Sequence, residues 1–184
     1  MQRRHCSRTT RRAFASRFLS SKPFGTIVFE GDAQFAGRNE GYTFIEKPLR
    51  IEGISGAATL HGIRLGLSSR VVLRGIRFED ASHVVVGDGG YLVLVDCEFY
   101  STNDNTYAAM HVGDWSTLEI RHCAMRDWRG TAVRVEGGST TILTDSTFAT
   151  PGSNILDVRA GASVTVRDYN NHVISDPPGP PHAR

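Results

Sequence analysis

The stretch VVVGDGGYLVL, Val84 to Leu94, is two short apolar runs joined by a glycine-rich corner. The same shape returns as IRLGLSSRVVL (Ile63 to Leu73), MHVGDWSTLEI (Met110 to Ile120), VRVEGGSTTIL (Val133 to Leu143) and LDVRAGASVTV (Leu156 to Val166). In each copy an apolar residue stands eight positions before another: Leu65 and Leu73, Val86 and Leu94, Val112 and Ile120, Val135 and Leu143, Val158 and Val166. Aligning the residues that end each unit, with Ile51 before them, gives intervals of 22, 21, 26, 23 and 23 residues. Self-similarity at such a period is the mark of a solenoid.

Each repeat carries three short runs of alternating apolar residues, for example Val84-x-Val86, Leu92-x-Leu94 and Cys97-x-Phe99. Alternate residues of a strand face one side, so every run turns two residues inward. Three inward-facing strands per turn describe a parallel β-helix, which buries a continuous core by stacking. Leucine-rich repeats share the period, but their regular leucines and consensus asparagine are absent. Between the second and third strands one bending residue is expected at Gly53, Gly75, Asp96, His122, Asp145 and Asp168. Five of these six are Gly or Asp, types that tolerate a left-handed backbone. Three positions beyond that bend, Phe78, Phe99, Met125 and Phe148 form an expected column of large core side chains. Tyr169 is followed by polar Asn170, Asn171 and His172, which would close the open end of the stack.

Charge divides the chain. The formal net charge is +2, but residues 1–22 hold seven basic residues and no acid, leaving 14 basic against 19 acidic residues in the rest. Such a body argues against nucleic-acid binding through the domain itself and leaves only the basic N-terminal segment for that role. Residues 1–24 read as a targeting-like or disordered segment, 25–173 as the β-helix domain, and 174–184 as a proline-rich tail. The first segment is rich in arginine and serine, as mitochondrial transit peptides are, and Arg17-Phe18-Leu19-Ser20-Ser21 suits cleavage ahead of Ser20. Mitochondrial localisation is the expectation, with a cytoplasmic protein bearing a basic tail as the alternative. No apolar run is long enough to span a membrane.

GTIVFEGD, then EKPLRIEGISG, then LHGIRLG-x4-VVLRGIRFED resemble the right-handed parallel β-helix of the pectin lyase-like superfamily over about residues 25–173. The resemblance implies an all-β fold, a single-stranded right-handed solenoid of about five to six turns of three short strands. It does not imply one activity, because that superfamily holds lyases, hydrolases, adhesins, phage spikes and non-enzymatic scaffolds. A hydrolase of that kind would need an Asn-Thr-Asp segment, an Asp-Asp pair and a Gly-His-Gly in successive turns, and the set is missing here. A lyase would need carboxylates for calcium and an arginine as base.

The weak candidates follow from the register. Outward first-strand positions are Arg64, Val85, His111, Arg134 and Asp157, so His111, Arg134 and Asp157 are the candidates for acid–base work, with Asp114 nearby. Corner acids Asp88, Asp114 and Glu136 are expected to stack in three turns and are the candidates for Ca2+; no other cofactor is implied. In the long loop 100–109, Tyr107 with Trp128 one turn later would flank a sugar-stacking groove, with Asn103, Asp104 and Asn105 offering hydrogen bonds. The competing reading packs Trp128 against the core edge. Trp115 belongs to a different corner. Cys97 and Cys123 share one inward slot in consecutive turns, where buried free thiols are favoured over a bond. The expected function is a non-catalytic scaffold or binding protein, an accessory subunit whose partners are proteins of a larger, mitochondrial assembly. A carbohydrate-active enzyme or carbohydrate-binding module with a reduced site is the alternative.

Overall fold

The computed structural model describes residues 3–7, 23–30, 33–35, 43–54, 58–100, 108–149, 154–159 and 165–173. Every strand pairing among them is parallel, and the chain winds as a β-solenoid. Four consecutive turns are described whole, over 63–78, 84–99, 110–125 and 133–148, and partial turns extend the stack at both ends. Among the described residues no helix is long and apolar enough to cross a membrane.

Second strands stack into one sheet: Arg3–Ser7, Gly25–Glu30, Leu49–Ile54, Arg70–Arg74, Tyr91–Val95, Thr117–Arg121, Thr140–Thr144 and Thr165–Tyr169. First and third strands belong to another. They are continuous because Ala58–Leu65 and Ile76–Val86 each run through the corner from a third strand into the next first strand. The period-2 alternation decides which side is buried. Leu92 and Leu94, Leu118 and Ile120, Val84 and Val86, and Met110 and Val112 all enter the core. Phe78, Phe99, Met125 and Phe148 are register neighbours in successive turns, as expected. The rings of Phe78 and Phe99 stack at 4.6 Å with 11° between planes, which adds attraction beyond the area they bury.

Two corners hold the register. Gly75, Asp96, His122 and Asp145 make the bend between second and third strands, with φ of 62°, 53°, 51° and 49°. Their amides reach the neighbouring turn: Gly75 N–H donates to the Val95 carbonyl, Asp96 to Arg121 and His122 to Thr144. A side chain at Gly75 would put its Cβ 2.6 Å from the Gly53 carbonyl oxygen, so glycine is needed at this turn for space, whereas Asp and His adopt the same φ in the turns that follow. The other corner, between first and second strands, is pinned by buried serines. Ser116 Oγ donates to the Gly87 carbonyl at 2.8 Å, and Ser139 Oγ to that of Gly113 at 2.6 Å.

Two expected bends are not found. Gly53 pairs with Phe29 inside the strand Leu49–Ile54 and lacks a left-handed backbone. The last bend is Asn170, at φ 49°, and not Asp168, because Asp168 pairs with Leu143 and Val166 pairs with Thr141. The eight-residue spacing of Val158 and Val166 is therefore not the register of that turn; Val173, four residues beyond Tyr169, pairs with Phe148 along the ladder. In addition, Arg3–Ser7, within the segment set apart from the domain, pairs with Gly25–Glu30 from Arg3 opposite Thr26 to Ser7 opposite Glu30. Its arginines and histidine carry no apolar alternation, so only the backbone ladder marks it as strand. The tail 174–184 lies outside the described residues.

Candidate functional site

The first-strand face brings the three acid–base candidates together. Strands Met110–Val112, Val133–Val135 and Leu156–Val158 each turn their central residue outward, and His111, Arg134 and Asp157 are register neighbours. Adjacent rungs lie about 4.8 Å apart, close enough for their side chains to meet. Arg134 Nε donates to Asp157 Oδ2 at 2.8 Å. His111 Nε2 lies 3.0 Å from Glu136 Oε1, and Arg159 Nε lies 3.7 Å from the same oxygen. Both carboxylates of the cluster are thus held by basic side chains. A general acid or base must face a reacting atom, and paired carboxylates must flank the scissile bond. This cluster satisfies its charges within itself.

The three cation candidates do not share a column. Val112 pairs with Val135, so Gly113 and Glu136 are equivalent, while Asp88 and Asp114 continue into Gly137. Hydrogen bonds along the corner follow the same order, from Gly89 N–H to the Asp114 carbonyl and from Trp115 N–H to that of Gly137. Glu136 turns instead toward His111 and Arg159. Among the described residues no three His, Cys, Asp or Glu side chains come together to hold a metal ion.

The sugar-stacking groove loses its aromatic wall. Trp128 is 0% exposed and belongs to the core, so its ring has no face left for a ligand. The local pattern explains why: Trp128 follows Asp127, whose φ of 56° turns the chain back inward after the third strand. Tyr107, Asn103, Asp104 and Asn105 lie outside the described residues.

A different tryptophan faces solvent. At the corner between first and second strands, Ser68, Gly89, Trp115 and Gly138 all have left-handed backbones, with φ of 56°, 67°, 58° and 68°. For a bulky residue that conformation is an outlier and carries a cost of about 1–3 kcal/mol. Trp115 is nevertheless 78% exposed. Its indole lies on Gly138, where an added Cβ would sit 2.6 Å from Cε3, so the glycine seats the ring. Leu67, two turns away on the same corner, is 75% exposed and shares a column with exposed Asp88 and Asp114, the second of which adjoins Trp115. The result is a ridge of apolar and acidic side chains. Its signal in the sequence was an aromatic residue in a slot that other turns fill with serine or glycine.

On the second-strand sheet, away from both features, a cleft of about 530 Å³ is lined by Phe24, Thr26, Pro48, Arg50, Arg70 and Tyr91, among others. Next to it the Tyr91 hydroxyl donates to Glu119, which also receives Arg121. The Glu119 carboxylate, with some burial, pushes the Tyr91 phenol above its ordinary pKa.

The three-sided parallel stack and the corner geometry define a β-solenoid whose first-strand face carries charges paired between turns. The chain belongs to the right-handed β-helix family: the description "Right handed beta helix region" matches residues 38–174. No curated protein and no solved structure gave a significant match.

Proposed function

We propose that this protein is a non-catalytic β-helix scaffold that binds a protein partner, as an accessory subunit of a larger assembly, through the corner ridge of Leu67, Asp88, Asp114 and Trp115. The observation that carries the reading is Trp115, held in a costly left-handed conformation and still exposed. Backbone strain of this kind collects where a side chain is presented for use. Exposed tryptophan is also enriched among the residues that dominate protein interfaces. The flanking aspartates favour a partner surface with basic groups around an apolar pocket.

The non-catalytic part rests on the pairing of His111 with Glu136 and of Arg134 with Asp157. Such pairing is what a structural surface needs, and it engages both acids of this cluster with basic side chains instead of opposing them across a bond. Delivery to mitochondria is proposed from the basic, acid-free residues 1–22. Cleavage ahead of Ser20 would remove the strand Arg3–Ser7 and bare Gly25–Glu30 as a new sheet edge.

The test is native size-exclusion of tagged full-length protein from its own cells, wild type beside Trp115→Ala and Leu67→Ser. Wild type should elute well above its 20.2 kDa monomer mass, and both variants should return toward the monomer with unchanged circular dichroism. A wild-type monomer would overturn the scaffold reading. Cleavage of polygalacturonate that is lost in Arg134→Ala would replace it with an enzymatic one.

A further inference from the structure

Cys97 and Cys123 are two free thiols in equivalent slots of consecutive turns, one residue past the left-handed bends Asp96 and His122. Glu98 pairs with Ala124 directly beyond them, which places the cysteines opposite each other on neighbouring parallel strands. The Cα separation of such strands, about 4.8 Å, falls inside the range a disulfide accepts. The two residues are already in contact. Cys97 N–H donates to Cys123 Sγ at 3.4 Å, while the Cys97 thiol reaches the Val95 carbonyl at 3.4 Å and that of Leu73 at 3.7 Å.

We propose that Cys97 and Cys123 form a peroxide-responsive dithiol that closes to a disulfide across consecutive turns without rearrangement of the fold.

The surroundings assign unequal roles. The hydrogen bonds from Cys97 hold the Cys123 thiol below its ordinary pKa, while burial pushes Cys97 well above it. Cys123 is also the less enclosed of the two, 5% exposed against 1%, and it adjoins the exposed His122. Cys123 is therefore the attacking thiolate. It takes the distal oxygen of a hydroperoxide, breaking the O–O bond; the sulfur becomes a sulfenic acid and the peroxide leaves as alcohol or water. Cys97 sulfur then displaces hydroxide from the sulfenic sulfur, its thiol proton leaving with that hydroxide as water. Two thiols lose two electrons and two protons, and one hydroperoxide is reduced. The bridge would clip the ends of the longest repeat interval, the one that holds residues 101–107, outside the described structure.

The experiment treats reduced, folded full-length protein with hydrogen peroxide, quenches, denatures with an alkylating agent, and maps tryptic peptides. The expected product joins the peptide 78–121 to the peptide 122–126 with loss of two hydrogens, and dithiothreitol releases it. Circular dichroism should be unchanged on oxidation. Cys97→Ser should leave Cys123 as a sulfenic acid trapped by dimedone, and Cys123→Ser should leave Cys97 unlabelled. Recovery of both cysteines as alkylated thiols would overturn the proposal. So would their conversion to sulfinic acids without a cross-link, or a bridge from either to Cys6. Dimedone labelling of Cys97 in Cys123→Ser would overturn the assignment of the attacking thiol.

Discussion

The central turns and the C-terminal turn close the same corners with different residues, and the difference shows what the solenoid needs. From the last inward residue of a first strand to the first of a second strand there are six positions in each central turn: Leu65 to Val71, Val86 to Leu92, Val112 to Leu118, Val135 to Thr141. In the last turn the step between the register-equivalent positions, Val158 to Val166, takes eight. The second corner keeps its length, since Leu73 to Phe78, Leu143 to Phe148 and Asp168 to Val173 all span five. A bend made by one left-handed residue cannot absorb an insertion, whereas a turn with several residues can. Length variation and exposed side chains therefore collect at the longer corners.

Interior chemistry differs as well. The slot after the bend holds Cys97, Cys123, Ser146 and Asn171 in successive turns. Each residue's N–H donates to the side chain of the next: Cys97 to Cys123 Sγ, Cys123 to Ser146 Oγ at 3.1 Å, and Ser146 to Asn171 Oδ1 at 2.9 Å. Asn171 Nδ2 also donates to the Leu143 carbonyl at 3.0 Å. The column changes from soft sulfur to hydroxyl to amide as the stack approaches its end. The final asparagine satisfies a donor and an acceptor of the turn before it.

The largest effect should come from the centre. Leu94 is fully buried between Leu73 and Ile120. Leu94→Asp would place an unpaired charge there, at a cost comparable with the ~5–15 kcal/mol that holds a domain together. Cooperative thermal unfolding by circular dichroism should disappear. Leu67→Asp, at the exposed corner, should melt like wild type. If Leu94→Asp also melted like wild type, the shared register of the central turns would be wrong.

Much of this was legible in the sequence because parallel stacking demands one residue type per slot. Val84 and Val86, Leu92 and Leu94, and Cys97 and Phe99 announced three inward strands. Gly75, Asp96 and Asp145 announced the bend, since positive φ selects such residues. His111, Arg134 and Asp157 followed by counting from that frame. Asn170 was missed because Val166 imitates the eight-residue spacing, and only backbone pairing shows it opposite Thr141. Glu136 was grouped with the corner acids although it stands one residue past Val135, whereas Asp88 and Asp114 stand two past Val86 and Val112, an offset the aligned repeats already contain. The two tryptophans part company for a reason that lies in the backbone: left-handed Asp127 turns Trp128 inward, and Gly138 makes room for Trp115 outside.

A smaller effect tests the end of the stack. Asn171→Ala would leave the Ser146 N–H and the Leu143 carbonyl without their side-chain partner, a loss of roughly 1–3 kcal/mol. Hydrogen exchange at the Ser146 amide should accelerate about tenfold or more, in line with that energy, while the Leu94 amide should keep its protection relative to global unfolding. Equal acceleration at both would mean that the last turn and the central turns unfold as one unit.

The smallest effect should be a gain, at the point where the two regions meet. Thr141 continues the inward column of Val71, Leu92 and Leu118, yet its hydroxyl is fully buried and has no hydrogen-bond partner among the described residues. Valine has nearly the same shape. Thr141→Val would therefore keep the packing and remove the desolvation cost of an unpaired hydroxyl, about 1 kcal/mol. The urea midpoint should rise with an unchanged slope, because the surface exposed on unfolding is the same. A fall in the midpoint would mean that the hydroxyl is satisfied in solution, by water entering beside the longer corner of the last turn.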